Sequence, residues 1–231
     1  MNILLITVDC LRKDITNNKN FMPFLSSLKN DSITFNNYYS GGPITPYSFP
    51  SLISGKNLYE GISNKGLILK SETISQKIKK IDEKYVTFRI NASNIWISDY
   101  LNYGRGFDIS LDLNSKYDKE RWKKRKSLLS KLIWKTKYYV KNFKIAFGNE
   151  KFLPYKIGLE INKEFFELYS KKLRNNKFFG WIHFMDTHDP FFPYKEVLKK
   201  INIKIPWKDI FQANIRCSFN IKMIDLYHLK L

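Results

Sequence analysis

The stretch that decides the fold is NILLITVD, which occupies residues 2–9. It is a nearly continuous apolar run with many branched side chains, a composition typical of a strand buried on both faces of a parallel sheet. A second run of this kind, FFGWIHFMD, occupies residues 178–186. The runs end at Asp9 and Asp186, so both carboxylates are predicted to lie at the carboxyl edge of a sheet, where open α/β folds bind their ligands.

Strand and helix patterns alternate along the rest of the chain. Helices are predicted over residues 22–28, 48–54, 71–80 and 157–173, and further strands over residues 32–39 and 84–90. The first of these helices has Pro23 in its first turn and apolar residues three to four apart, so it is predicted to pack on the sheet. The alternation predicts an α/β fold with a mostly parallel sheet flanked by helices.

The charge of the chain is strongly positive and unevenly distributed. Lys and Arg number 40 against 21 Asp and Glu, which gives a formal net charge of +19. Much of the excess lies between residues 116 and 144, where cations alternate with aromatic and aliphatic residues. This pattern predicts a basic amphipathic helix that could bind nucleic acid or an anionic membrane. A solvated helix face packed on a domain is the simpler alternative.

These patterns divide the sequence into three parts. Residues 1–115 form the N-terminal part of the α/β domain, residues 116–150 form a basic helical insertion, and residues 151–231 continue the α/β domain. The first apolar run is too short for a secretion signal or a membrane span, and no later run reaches spanning length. We therefore expect a cytoplasmic protein without a transmembrane segment. The sequence does not indicate an oligomeric state.

Cysteine and histidine usage limits the kinds of site. Cys10 and Cys217 have no regular spacing, which argues against a disulfide framework or a thiolate metal site. His183 alternates with Met185 along its strand, so a structural role is favoured for it. His228 is predicted to be inert.

Candidate functional residues follow both buried strands. Arg12 follows Asp9, and His188 follows Asp186. Carboxylate and imidazole groups bind divalent cations, and Arg can hold an anionic oxygen with two hydrogen bonds. The alternatives are that Asp9 caps the next turn, that Arg12 pairs with Asp14 on the surface, and that His188 is a core histidine.

Four motifs together resemble those of sulfatases and their relatives in the alkaline phosphatase superfamily. Residues 2–14 resemble the opening strand with the first metal ligand, and residues 45–55, TPYSFPSLISG, resemble the sulfatase signature. Residues 91–108 resemble the segment before the family's variable insertion, and residues 181–191 the strand that leads to a substrate-binding His. Counting back from Gly55 puts Thr45 at the nucleophile position.

The resemblance implies an alkaline phosphatase-like fold and a hydrolase or phosphotransferase that acts on sulfate or phosphate esters. Asp9 and Thr45 would bind a divalent cation, Zn²⁺, Mn²⁺ or Ca²⁺, and Thr45 would attack phosphorus or sulfur. His188 would act as a catalytic and substrate-binding residue, and Arg12 would help to bind the anionic substrate. The alternative is a non-catalytic basic protein that binds nucleic acid or an anionic membrane.

The sequence also departs from the family pattern. Thr45 cannot be converted to formylglycine, Phe49 stands where classical sulfatases have Arg, and Cys10 replaces the second Asp of a paired-Asp opening. A Thr nucleophile resembles instead the phosphodiesterase and phosphotransferase branches of the superfamily. The sequence contains no Asp-His, Asp-Asn or Asp-Gly pair, which the later metal-binding segment of the family supplies. We therefore expect a fold that is incomplete at its C-terminus, and an enzyme that the missing ligands would leave inactive.

Overall fold

A parallel sheet forms the centre of the fold. The computed structural model describes residues 1–63, 68–113, 128–192, 194–200, 202 and 204–216, without the side chains of residues 128–135 and 200. Its strands are β1 (Ile3–Val8), β2 (Val86–Asn91), β3 (Ile109–Asp112) and β4 (Phe178–Phe184). In the described residues they form a four-stranded sheet in the order β1-β4-β2-β3, and every pair is parallel. The predicted α/β class is confirmed.

The register of the sheet brings three strand ends together. Thr7 of β1 lies opposite His183 of β4, and His183 lies opposite Asn91 of β2. The Asp9 N–H extends the first pairing by donating to Phe184 O at 3.0 Å. The residues that follow β1 and β2 therefore share one edge of the sheet with the end of β4, as the apolar runs predicted for Asp9.

The described residues also form α-helices. They are α1 (Lys13–Thr16), α2 (Pro23–Leu28), α3 (Thr45–Ser54), α4 (Leu58–Gly61), α5 (Ile74–Ile81), α6 (Leu128–Ala146), α7 (Gly158–Leu168) and α8 (Lys195–Lys200). A π-helix at Tyr169–Leu173 follows α7, and residues 207–216 are also helical. Gly55 ends α3 with a φ of 71°, a left-handed conformation that glycine adopts without steric cost.

The helix α3 is held on the sheet by a mostly apolar cluster. Phe49 and Ile53 of this helix are buried, and the Phe49 ring stacks on Trp181 of β4 with ring centroids 5.9 Å apart. Leu69, Ile97, Leu101 and Tyr103 complete the buried cluster. Burying a side chain such as Ile53 stabilises the fold by about 1.5–3 kcal/mol. The packing of α3 fixes where its first residue lies.

Two predicted features of the N-terminal third are wrong. Residues 32–39 do not form a strand, and Ile33 and Phe35 in this segment are 83% and 76% exposed. Alternation of apolar residues yields a stable strand only where a neighbouring strand pairs with it, and none in the described residues does so. The predicted helix near residues 22–28 is present as α2, but it contains no buried residue, so its predicted packing on the sheet is also wrong.

The start of α3 also differs from the prediction. The pattern of Phe49, Leu52 and Ile53 predicts a helix from residue 48, whereas α3 begins at Thr45. Pro46 lies in its first turn, where a backbone N–H has no partner within the helix and the fixed φ of proline suits the helix. Thr45 is therefore the first residue of the helix and does not precede it.

Contacts divide the chain into two units. One comprises Met1–Asp118 and Tyr155–Met185 and contains the sheet; the other comprises Lys119–Pro154 and Asp186–Leu231. In the second unit, Phe143 and Phe147 of α6 pack on Trp207, with ring centroids 5.4 and 4.8 Å apart. The predicted basic insertion contains the helix α6, Leu128–Ala146. Its residues 116–127 lie outside the described residues. Within the described part of the chain, every helix is too short or too polar to cross a membrane.

Candidate active site

Asp9 is the centre of a polar cluster at the carboxyl edge of the sheet. Its Oδ2 accepts a hydrogen bond from Thr45 Oγ1 at 3.1 Å and another from Asn94 Nδ2 at 2.7 Å. His183 Nε2 lies 3.7 Å from the same oxygen. The Asp9 side chain is only 10% exposed. A hydroxyl, an amide and an imidazole therefore converge on one carboxylate oxygen, and all four residues belong to the unit that contains the sheet.

Thr45 reaches Asp9 because α3 begins there. The preceding residue, Ile44, is extended, and its carbonyl accepts the N–H groups of Tyr47 and Ser48 at 2.9 and 3.0 Å. A helix N-terminus carries partial positive charge and stabilises anionic groups nearby. The predicted nucleophile thus lies on a first helical turn, beside the predicted metal ligand.

Asn94 is a site residue to which the sequence assigned no role. Its Oδ1 accepts the N–H of Trp96 at 3.0 Å, which leaves its Nδ2 directed to Asp9. Asn91 holds the turn in place: its Oδ1 accepts from Asn94 N at 3.1 Å, and its Nδ2 donates to Asn94 O at 2.9 Å. The signal that could have found Asn94 is an amide side chain just after a buried strand, at the same sheet edge as Asp9.

His183 occupies the other side of the cluster. Its ring is 1% exposed, and its Nδ1 lies 2.9 Å from Thr7 Oγ1 on the neighbouring strand. Thr7 Oγ1 also accepts the indole N–H of Trp181 at 3.0 Å. Phe49 contacts the imidazole edge to face, with centroids 5.2 Å apart. The ring is packed as a core histidine would be, and its Nε2 also reaches the site.

The two remaining predicted site residues, Arg12 and His188, have other hydrogen-bond partners. Arg12 forms an exposed ion pair with Asp14 at 2.7 Å, which is the surface pairing considered as its alternative. The hydrogen bond between them raises the pKa of Arg12 and lowers the pKa of Asp14. His188 belongs to the second unit, and its Nδ1 lies 2.6 Å from the carbonyl oxygen of Asp189. The catalytic and substrate-binding roles of Arg12 and His188 stay predictions.

The two predicted metal ligands, Asp9 and Thr45, are in direct contact. Asp9 Oδ2 and Thr45 Oγ1 are 3.1 Å apart. Among the described residues no group of three or more His, Cys, Asp or Glu side chains could hold a metal ion. Carboxylate and hydroxyl oxygens are groups that can bind a cation, and the roles of Asp9 and Thr45 as metal ligands stay predictions.

A comparison with protein families gives a match over most of the chain. The family model described as Sulfatase matches residues 1–206, which include every strand of the sheet, Asp9, Thr45, Asn94 and His183. No curated protein matches the chain. Since the family match covers most of the 231 residues and contains the complete polar cluster, the chain belongs to the sulfatase family.

Proposed function

We propose that this chain is a metal-dependent hydrolase or phosphotransferase of phosphate or sulfate esters in which Thr45 is the nucleophile. Members of the sulfatase family are hydrolases that generally use a divalent metal and act on sulfate esters. The observation that carries the proposal is the 3.1 Å hydrogen bond from Thr45 Oγ1 to Asp9 Oδ2 at the start of α3. An isolated surface threonine before a helix would have no buried carboxylate beside it.

The cation would be held by Asp9 and Thr45. Such an ion lowers the pKa of a coordinated hydroxyl and makes it a nucleophile near neutral pH. Thr45 Oγ1 would lose its proton to solvent water and attack phosphorus or sulfur. The bond to the leaving oxygen would break as the new ester bond to Oγ1 forms, and a proton from solvent would neutralise the leaving oxygen. Water then hydrolyses the threonine ester and restores the hydroxyl.

The residue types favour phosphate over sulfate esters. A threonine side chain cannot provide the aldehyde hydrate on which the classical sulfatase route depends. Phe49, which replaces the usual Arg, is 8% exposed and packs on Trp181 and His183, so it adds no charge to the site. We therefore infer a reaction closer to that of the phosphodiesterase and phosphotransferase branches. The net charge of +19 would attract either anion.

The test is ester turnover by the purified full chain with added Zn²⁺, Mn²⁺ or Ca²⁺. Bis-aryl phosphate, mono-aryl phosphate and aryl sulfate esters distinguish the substrate classes. We expect turnover of a phosphate ester to fall by about 1,000-fold or more in Thr45→Ala, because the attacking atom is removed. Thr45→Ser, which keeps a hydroxyl, should retain part of the rate.

Thr16→Ala is the matched control, since the Thr16 hydroxyl does not belong to the polar cluster and donates to Lys13 O at 2.8 Å. It should leave the rate unchanged. Mass spectrometry after rapid acid quenching should detect a phosphoryl group on the peptide that contains Thr45. Equal turnover in Thr45→Ala and in the unaltered protein would refute the nucleophile. No turnover of any ester with any of the three cations would mean that the chain is inactive.

A further inference from the structure

We propose that His183 is a nitrogen ligand of the cation held by Asp9, and that Thr7 and Trp181 fix the tautomer of its ring for that purpose. The inference rests on the proposed function, because it extends the same metal site. It assigns a binding role to a histidine for which the sequence favoured a structural one.

The hydrogen bonds of Thr7 are compatible with a hydrogen on His183 Nδ1. An indole N–H can only donate, so Thr7 Oγ1 accepts from Trp181 at 3.0 Å. The Thr7 hydroxyl has one hydrogen, and the carbonyl oxygen of Ile182 accepts it at 3.4 Å. With its hydrogen directed to Ile182 O, Thr7 Oγ1 accepts from His183 Nδ1, which lies 2.9 Å away. With the hydrogen on Nδ1, Nε2 carries the lone pair in the neutral ring.

The opposite side of the ring leads to the same tautomer. Asn94 Nδ2 lies 3.4 Å from His183 Nε2. This atom is a donor, because the other amide atom of Asn94 accepts the N–H of Trp96 at 3.0 Å. A hydrogen on Nε2 would place two donors against each other. Both sides of the imidazole thus favour a lone pair directed toward the Asp9 cluster.

Asp9 Oδ2 and His183 Nε2 are close enough to each other to share one cation. Asp9 Oδ2 and His183 Nε2 both contact the amide nitrogen of Asn94, and they lie 3.7 Å from each other. A zinc ion about 2.0–2.2 Å from each atom spans up to about 4 Å between them. The ring is also oriented as in known metal sites, where a ligating histidine donates its other N–H to a fixed acceptor.

The nitrogen ligand makes a prediction about the metal. Imidazole suits zinc and similar transition metals, whereas Ca²⁺ takes oxygen ligands almost exclusively. One carboxylate, one hydroxyl and one buried imidazole therefore favour Zn²⁺ over Ca²⁺. The sequence departures support this choice, since Cys10 stands where calcium-dependent sulfatases have a second Asp.

Nitrogen NMR of the histidine rings tests the proposal on the unaltered full chain. The chain has three histidines, and His188→Gln and His228→Gln assign the signals of the other two rings. We expect His183 to show the tautomer with hydrogen on Nδ1, and Zn²⁺ to shift its Nε2 signal while Ca²⁺ does not. A hydrogen on Nε2, or a Zn²⁺ titration that leaves both nitrogen signals of His183 unmoved, would overturn the proposal.

Calorimetric titration with Zn²⁺ supplies a second measurement. Thr7→Val keeps the side-chain shape but removes the acceptor of Nδ1–H, so Zn²⁺ affinity should fall by about 10- to 100-fold, the usual cost of losing such a partner. His183→Gln should lower it further, and the matched variant His228→Gln should not change it. Circular dichroism checks that each variant folds. Equal Zn²⁺ affinity in folded Thr7→Val and in the unaltered chain would count against the assigned role of Thr7.

The outcome separates this inference from the proposed function. Zn²⁺ binding at His183 Nε2 without turnover of any ester would sustain the inference and refute the function. Turnover that depends on Thr45, with the His183 signals unmoved by Zn²⁺, would refute the inference and sustain the function.

Discussion

Replacing Asp112 by Asn tests the network that holds Asn94 at the site. Asp112 lies at the end of β3, and its Oδ1 accepts from the Arg89 guanidinium and from Asn91 Nδ2, the latter at 2.9 Å. Its Oδ2 accepts the backbone N–H of Asp99 at 2.7 Å. The Arg89 and Asp112 side chains are 1% and 9% exposed. Because Asn91 in turn forms hydrogen bonds with the Asn94 backbone, Asp112 stabilises the turn that positions Asn94.

The expected cost follows from these three bonds. In Asp112→Asn the side chain has a single acceptor oxygen. This oxygen can accept either from the Asp99 N–H or from the donors of Arg89 and Asn91, but not from both sides. At least one donor is left without an acceptor, which costs about 1–3 kcal/mol. The surviving bonds lose their charge assistance, about 1 kcal/mol each. We therefore expect the free energy of unfolding to fall by about 3–5 kcal/mol, the range found when a buried ion pair is broken.

Urea unfolding at neutral pH, followed by circular dichroism, measures this loss. Asp82→Asn is the matched control, since Asp82 pairs with Lys177 at 3.3 Å on the surface and its replacement should change stability little. A loss below about 1 kcal/mol in Asp112→Asn, the range of exposed pairs, would refute the reasoning. It would mean that Arg89 is satisfied by Asp99 and Ser110 alone.

Three further changes have defined outcomes. Gly180→Ala would place a Cβ against the ring of buried Phe88, so urea unfolding should show a loss of about 1–3 kcal/mol. Burial raises the pKa of Tyr103, so the unfolded chain ionises first and stability should fall as pH rises above about 10; Tyr103→Phe should lessen that fall in urea unfolding measured across this range. Asn94→Asp puts a second carboxylate beside Asp9, so in thermal unfolding it should melt lower than the unaltered chain in chelator and gain more from Zn²⁺.

The sequence predicted the parts of this fold that depend on local pattern. The apolar runs that end at Asp9 and Asp186 gave β1 and β4, and parallel pairing then required their carboxyl ends to share an edge. The predicted nucleophile position came from the family resemblance. The local pattern of residues 45–55 does not distinguish Thr45 from the serines of the same segment. The strand β3 was missed, since four residues are too few for a periodic signal.

The rest of the site depends on contacts between distant parts of the chain. Asn94 lies 85 residues from Asp9, and Thr7 lies 176 residues from His183. No local pattern distinguishes an amide that reaches a carboxylate from one that caps a turn, and Asn94 does both. The contact between Thr7 and Trp181 beside His183 forms only once β1 and β4 are paired in register. Such roles become visible only after the sheet is assembled.

The departure from the classical sulfatase pattern at residue 49 has a structural consequence for the nucleophile. Phe49 lies one turn after Thr45 on α3, and its ring packs both on Trp181 and on the imidazole of His183. An Arg there would bring a guanidinium into this buried aromatic contact, at a desolvation cost of several kcal/mol unless an acid paired with it. With Phe, one apolar contact fixes both the start of α3, where Thr45 lies, and the ring of His183. The threonine at the proposed nucleophile position and Phe49 are therefore linked departures from the classical pattern: packing of Phe49 holds Thr45 and His183 near Asp9, without a charged residue at position 49.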